Sequence, residues 1–203
     1  MRIYDFQGAT GYEVIDAEAS QGWDVLAGFD GSPRSQTWTP QHVVRVRPSK
    51  REGFRPSDAP YACMSNILVL RRSAVDALRD ILDAYGELLP LQDEEGVELY
   101  AYNPRALEAL DHVRTVGSRD DNGRVYLPNN HVFIPSVVEG VDIFRQARER
   151  RAGDIYLSHH FLQRWKKAKL KGLDFRLAWD SDLPPDQQPN VWTSKPVKMS
   201  TIK

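Results

Sequence analysis

Residues 145–179, RQARERRAGDIYLSHHFLQRWKKAKLKGLDFRLAW, constrain the fold more than any other stretch of this chain. Ile155, Tyr156 and Leu157 form a short apolar run that leads into Ser158, a residue able to accept from the free N–H groups that open a helix. Phe161, Leu162, Trp165 and Ala168 then recur at helical spacing, while Arg164, Lys166, Lys167 and Lys171 fall on the opposite side. Gly172 ends the helix, and residues 173–179 alternate apolar and polar as a closing strand. Strand, helix and strand in such close succession require a sheet on which the apolar face of the helix can rest.

The same grammar recurs upstream. Residues 66–70 read as a buried strand, followed by a helix over 73–85 with Ser73 as its cap and Asp76 in the capping-box position. Val75, Leu78, Ile81, Leu82 and Tyr85 make its apolar stripe, and Gly86 terminates it. Residues 87–91 must leave extended, because Pro90 forbids helix and pushes Leu89 toward β geometry. Residues 1–7, 43–47 and 97–102 read as strands, Pro104 opens a short helix through Leu110, and Asp121-Asn122-Gly123 turns a hairpin. Residues 131–138 and 141–146 read as two strands joined at Glu139-Gly140. Trp23, Phe29 and Trp38, set among Gly, Ser and Asp, are expected to anchor loops to a core. Strands and helices mix without regular alternation, which predicts an α+β domain: a mixed, mainly antiparallel sheet packed with a few helices. Residues 1–47 are read as strands and aromatic-bearing loops of that domain, 48–182 as its core, and the Pro/Gln/Lys-rich 183–203 as a mobile tail.

Composition narrows the function. The 203 residues are 41% hydrophobic and 27% charged, the balance of a globular protein with a real core. No window reaches the ~18 consecutive apolar residues of a membrane span, and the N-terminus lacks a basic and then apolar leader, so a cytoplasmic protein is expected. Cys63 is the only cysteine, which excludes an internal disulfide. Formal charge sums to −8 over residues 1–144, +7 over 145–171 and zero beyond, the basic block carrying nine Lys/Arg against two acids. Such a block is either a solvated face or an electrostatic docking surface for an acidic partner. The acidic remainder disfavours nucleic acid, since it would repel a phosphate backbone.

Chemistry-bearing motifs are weak. There is no Gly-rich phosphate loop. His159 and His160 are adjacent on a helix and point ~100° apart, poorly placed to share a metal. Ser158, His159 and Asp154 lie close in sequence, yet a triad is defined by geometry, and the cap role accounts for Ser158. His131 could act as a general base or simply enter a strand. Asp93-Glu94-Glu95 and Asp120-Asp121 sit in turn contexts without apolar frames, and Cys63 lacks a histidine companion in any recognisable motif. No catalytic residue, metal site or cofactor is expected.

Several pieces in fixed order carry a family resemblance: N-I-L-V-L-x-x-S-A-V-D-A-L from Asn66, G-E-L-L-P-L at 86–91, Y-A-Y-N-P-R-A-L-E-A-L-D at 100–111, G-V-D-I-F-R at 140–145, D-I-Y-L-S-H-H-F at 154–161 and L-K-G-L-D-F-R-L-A-W at 170–179. The chain is similar over about residues 40–180 to the immunity proteins of bacterial polymorphic toxin systems, specifically immunity family eleven, first catalogued as a domain of unknown function. Lys171 stands where that family usually has Thr or another small residue. The resemblance implies a cytoplasmic, non-enzymatic protein encoded beside a secreted toxin, whose toxin domain it binds and neutralises. It transfers no catalytic residue, and Gly86, Pro90, Gly172, Phe175 and Trp179 read as fold markers. Arg148, Arg150, Arg151, Arg164, Lys166, Lys167 and Lys169 are then the candidate toxin-docking face, with the acidic 1–144 region as the alternative. Two rival classes are a small hydrolase or toxin-modifying enzyme using His131 or His159, and a nucleic-acid-binding regulator using residues 145–171.

Overall fold

In the computed structural model, which describes residues 1–18, 20–46, 55–62, 67–147 and 154–202, two five-stranded sheets are each built around a strand–helix–strand unit with another strand slotted between. In chain order the elements are β1 (Arg2–Gly8), β2 (Ile15–Ala17), α1 (Ser20–Ala27), β3 (His42–Arg45), β4 (Leu68–Arg71), α2 (Arg72–Tyr85), β5 (Gly86–Asp93), β6 (Leu99–Pro104), β7 (Ala106–Leu107) and β8 (Val116–Arg119). There follow β9 (Val125–Asn130), α3 (Pro135–Val138), β10 (Ile143–Gln146), β11 (Ile155–Ser158), α4 (His159–Lys167) and β12 (Leu173–Asp180). The sheet orders are β12-β1-β11-β10-β7 and β2-β3-β5-β6-β4, with β8–β9 a separate hairpin. Only β10/β7 and β3/β5 pair in parallel among these strands. The protein is α+β, with mainly antiparallel sheets.

The unit β11-α4-β12 encloses β1, which pairs antiparallel with both flanking strands. The unit β4-α2-β5 encloses β6 in the same way. The two helices meet, and Arg164 of α4 closes the contact with a two-pronged hydrogen bond to Asp80 of α2 (2.7 and 2.8 Å). Beneath them lies the largest core. Val75, Leu78 and Leu82 of α2 and Phe161, Leu162 and Trp165 of α4 pack on Tyr4, Phe6, Leu157, Phe175, Leu68 and Tyr102. Because side chains alternate along β1, Tyr4 and Phe6 enter this core while Ile3 and Asp5 face the other side of the sheet. There a second aromatic cluster forms from Phe133, Phe144, Tyr156 and Trp179. The outer face of the other sheet buries Phe29, Val69, Leu89 and Ala101, with Trp23 and Trp38 packed against them as anchors.

Several local expectations need correction. Ser158 does cap α4, accepting from Phe161 N at 3.0 Å, but Ser73 does not cap α2. Strand β4 runs into α2 without a loop, so Arg71 occupies the cap position; Ser73 lies in the first turn and donates to Asp58, and Asp76 accepts from Arg72 Nε at 2.9 Å. Pro104 ends β6 and leads into strand β7, with no helix, because that backbone pairs with β10. Pro135 starts a one-turn helix, α3, where a continuous strand over 131–138 was expected. Helix α4 stops at Lys167, leaving Ala168 exposed, and Lys169 takes the left-handed conformation (φ 56°) that closes the turn. Gly172 serves a different need: its φ is +115°, and a Cβ there would stand 2.5 Å from the Ala59 carbonyl oxygen. A helix also forms at 20–27, in the stretch read as loop.

The segment after β12 lies along the domain. Gln188 is buried, donating to the carbonyls of Asp180 (2.9 Å) and Leu183 (2.7 Å) while accepting from Asp180 N (2.9 Å). Val197 N donates to Phe175 O at 2.7 Å, and Ile202 is buried in the main core. Among the described residues no helix is long and apolar enough to cross a membrane. Cys63 and Asn66 lie outside the described residues.

Candidate functional site: a polar cleft beneath Trp192

On the face of the first sheet opposite α4, β1, β11 and β12 expose polar side chains beside the second aromatic cluster. Asp5 and Arg176 are direct cross-strand partners, and Arg176 grips both carboxylate oxygens, Nε to Oδ1 at 3.0 Å and Nη2 to Oδ2 at 2.8 Å. Asp154 sits at the entry to β11, and Tyr156 follows on the same strand. The Tyr156 hydroxyl is 2.6 Å from His131 Nε2, and the His131 ring stacks on Phe133 at 5.5 Å. Leu127 and Pro128 of β9 and Val191 and Trp192 of the C-terminal segment form the opposite wall of a cleft of about 310 Å³. That wall is braced: Val191 N donates to Asn129 O (2.8 Å) and Trp192 Nε1 to Asn129 Oδ1 (2.9 Å). The indole is therefore fixed in place although the residue is 65% exposed.

Burial dominates the electrostatics of Asp5 and pushes its carboxyl up from 3.8 to about 6; Arg176 opposes the shift and Asp154 adds to it. Folding thus favours protonated Asp5. That contribution is present in full below pH 3.8 and is lost as pH rises through about 6. Urea midpoints measured at pH 5 and pH 7 should show the parent chain losing stability along this limb and Asp5→Asn losing distinctly less. Equal slopes in the two proteins would remove Asp5 as the titrating group.

The described residues among those singled out from sequence do not converge on one site. Of the basic set, Arg148, Arg150 and Arg151 lie outside the described residues. Arg164 is committed to Asp80, whose carboxyl it holds down to about 2 by hydrogen bonding and charge. Lys166 Nζ donates to Ile202 O at 2.6 Å, while Lys167 and Lys169 are exposed. His131 does line the cleft, but with its Nε2 engaged by Tyr156. His159 lies on the other side of the sheet, its Nδ1 2.9 Å from the Tyr4 hydroxyl. His160 Nδ1 is 2.9 Å from Asp142 Oδ2, whose other oxygen accepts from Ser158 Oγ at 2.5 Å. That carboxylate sits between serine and imidazole, an order that activates no nucleophile. Among the described residues no Ser, Thr, Cys or Lys lines the cleft, and no three His, Cys, Asp or Glu side chains are grouped to hold a metal.

Asp5, Asp154, Tyr156, Arg176 and Trp192 were missed because their meeting depends on strand register and on where the tail docks. One signal was present: a lone Trp in a Pro/Gln/Lys-rich segment is out of keeping with a purely solvated tail. No protein-family model and no curated protein matches this chain.

Proposed function

We propose that this protein is a non-enzymatic immunity protein, which binds a cognate secreted toxin domain in the cytoplasm and shields the cell that makes it. The toxin as partner rests on the ordered motif resemblance. The binding character rests on one structural observation, the exposed Trp192, held by its hydrogen bond to Asn129 at the mouth of a cleft that the half-exposed Leu127 also lines. A fixed, exposed aromatic loses little conformational freedom when a partner covers it, which is why such residues dominate interface energetics.

The test is co-expression with the toxin domain encoded by the adjoining reading frame. The expected result is a 1:1 complex that survives size exclusion, restored growth, and inhibition that titrates to a stoichiometric end point. Loss of toxin activity at markedly substoichiometric amounts would instead identify an enzyme that modifies the toxin. Failure to form any complex would end the immunity reading.

A further inference from the structure

We propose that His112 is an acid-sensitive latch on the β8–β9 hairpin, which supplies one wall of the cleft under Trp192. Among the described residues the hairpin is a sheet of its own and joins neither five-stranded sheet, so local ties hold it in place. At its open end Thr115 Oγ1 accepts from Val132 N at 3.0 Å. Near its turn the His112 ring reaches across to the first residue of β9, and Nδ1 accepts from Val125 N at 3.0 Å. Arg119 gathers the same region, donating to the carbonyls of His112, Gly123 (2.8 Å) and Thr115 (2.9 Å). Strand β9 then runs on to Leu127 and Pro128, which line the cleft, and to Asn129, which holds Val191 N and the Trp192 indole. A tie at the start of β9 thus bears on the ring at the mouth of the cleft.

The bond to Val125 fixes the state of the imidazole. Nδ1 accepts only while it carries no proton, so the hydrogen of the neutral ring sits on Nε2. Nε2 is buried and meets no acceptor among the described residues. A proton added at Nδ1 turns the acceptor into a donor facing another donor, and Nε2 gains nothing in exchange. Burial and the guanidinium groups of Arg124 and Arg119 hold the ring below its ordinary 6.5, while Glu108 and Asp111 pull the other way. Both carboxylates already have arginine partners: Arg124 Nη2 lies 3.1 and 3.0 Å from the Glu108 oxygens, and Arg114 Nε donates to Asp111 at 2.7 Å. The latch is therefore fully closed above pH 6.5, and its contribution is lost as pH falls from there through the lower folded value. Asp5 titrates with the opposite effect on global stability, so the hairpin itself has to be read.

The experiment follows the full chain by NMR from pH 7 to pH 5, reading the His112 ring nitrogens, hydrogen-exchange protection at the Val125 amide and the Trp192 indole N–H resonance. At pH 7 the ring should show the Nε2–H tautomer. On acidification the protection at Val125 should fall about tenfold, and the indole resonance should move with the same midpoint as the ring. His112→Asn keeps an acceptor oxygen where Nδ1 stands but takes up no proton, and it should hold Val125 protected at both pH values. His112→Ala should show the lowered protection already at pH 7. Unchanged protection in the parent at pH 5, an equal loss in His112→Asn, or an indole that does not follow the ring overturns the proposal. Should either variant fail to fold, the titration of the parent chain still decides. The consequence for a partner rests on the protein-binding reading above: toxin-domain affinity should drop about three- to tenfold from pH 7 to pH 5 in the parent and stay level in His112→Asn. A drop of equal size in that variant overturns the coupling to binding. Absence of any complex at pH 7 ends the immunity reading, and the latch then stands or falls on its Val125 and indole signals.

Discussion

Glu13→Ala is expected to lower the stability of the fold by roughly 3–5 kcal/mol, the usual cost of stranding buried charges by removing their partner. Glu13 lies between β1 and β2 and is buried. Its Oε1 accepts from Arg71 Nε (3.1 Å) and Nη2 (2.9 Å), from Ser57 N (2.8 Å) and from Ser57 Oγ (3.1 Å). Its Oε2 accepts from Arg71 Nη2 at 2.8 Å and from Arg45 Nε at 3.1 Å. Arg45 reaches on to the buried Asp93, whose Oδ2 in turn holds the 93–97 turn through the N–H groups of Glu95 and Val97 (3.0 Å each). Truncating Glu13 takes from Arg71 the carboxylate it grips, leaves Arg45 with Asp93, and strands a buried Ser57 N–H without its acceptor. For a chain of this size the melting temperature should fall by roughly 10 °C. Urea unfolding measures the loss directly, and Glu13→Gln, which keeps shape and some acceptor capacity, should fall between the two. A loss below about 1 kcal/mol would show that the charges are hydrated in the folded protein and that the network contributes little.

None of this network was visible in the sequence, and the reason is physical. Glu13, Arg45, Ser57, Arg71 and Asp93 come from five segments joined only by sheet register, and a lone Glu after Gly11-Tyr12 carries no local mark of burial. Local patterns were legible where one face of an element decides its burial. The α2 stripe of Val75, Leu78, Ile81 and Leu82 and the α4 stripe of Phe161, Leu162 and Trp165 are the buried residues of those helices. Strands β1, β5 and β12 were legible for the same reason. Legibility failed where a neighbour overrode local preference. Pro104 is an acceptable helix opener, yet pairing with β5 holds it in a strand. Asp58 draws Ser73 away from the cap that its own position suggested.

The candidate site was less legible than the fold. Asp5 sits between Tyr4 and Phe6 as an ordinary outward residue of an alternating strand, and it becomes informative only because Arg176 is its register partner. The basic segment 145–171 drew attention by charge, yet Arg164 is spent on Asp80 and Lys166 on the Ile202 carbonyl. Charge density in a sequence does not separate cations that the fold engages from cations left exposed, as Lys167 and Lys169 are.

Two tryptophans make the separation of fold from binding measurable. Trp165→Ala is expected to cost roughly 3–5 kcal/mol, because the indole is 2% exposed at the centre of the main core. It lies 5.6 Å edge-on to Phe175 and 6.2 Å from Phe161, so its loss opens a void between α4 and the sheet that β1, β11 and β12 form. Rigid strands on one side and the Arg164–Asp80 clamp on the other limit how far the helix can collapse into that space. Trp192→Ala should change stability by no more than about 0.5 kcal/mol, since the residue is 65% exposed and the braces at Asn129 O and Gln188 survive its removal. Urea denaturation of the two variants, set beside their affinities for the toxin domain, gives opposite patterns: Trp165→Ala unfolds early but binds whenever it is folded, and Trp192→Ala stays folded but loses its partner. If both variants lost stability alike, Trp192 would be a structural prop of the tail, and the cleft would owe its shape to the fold alone.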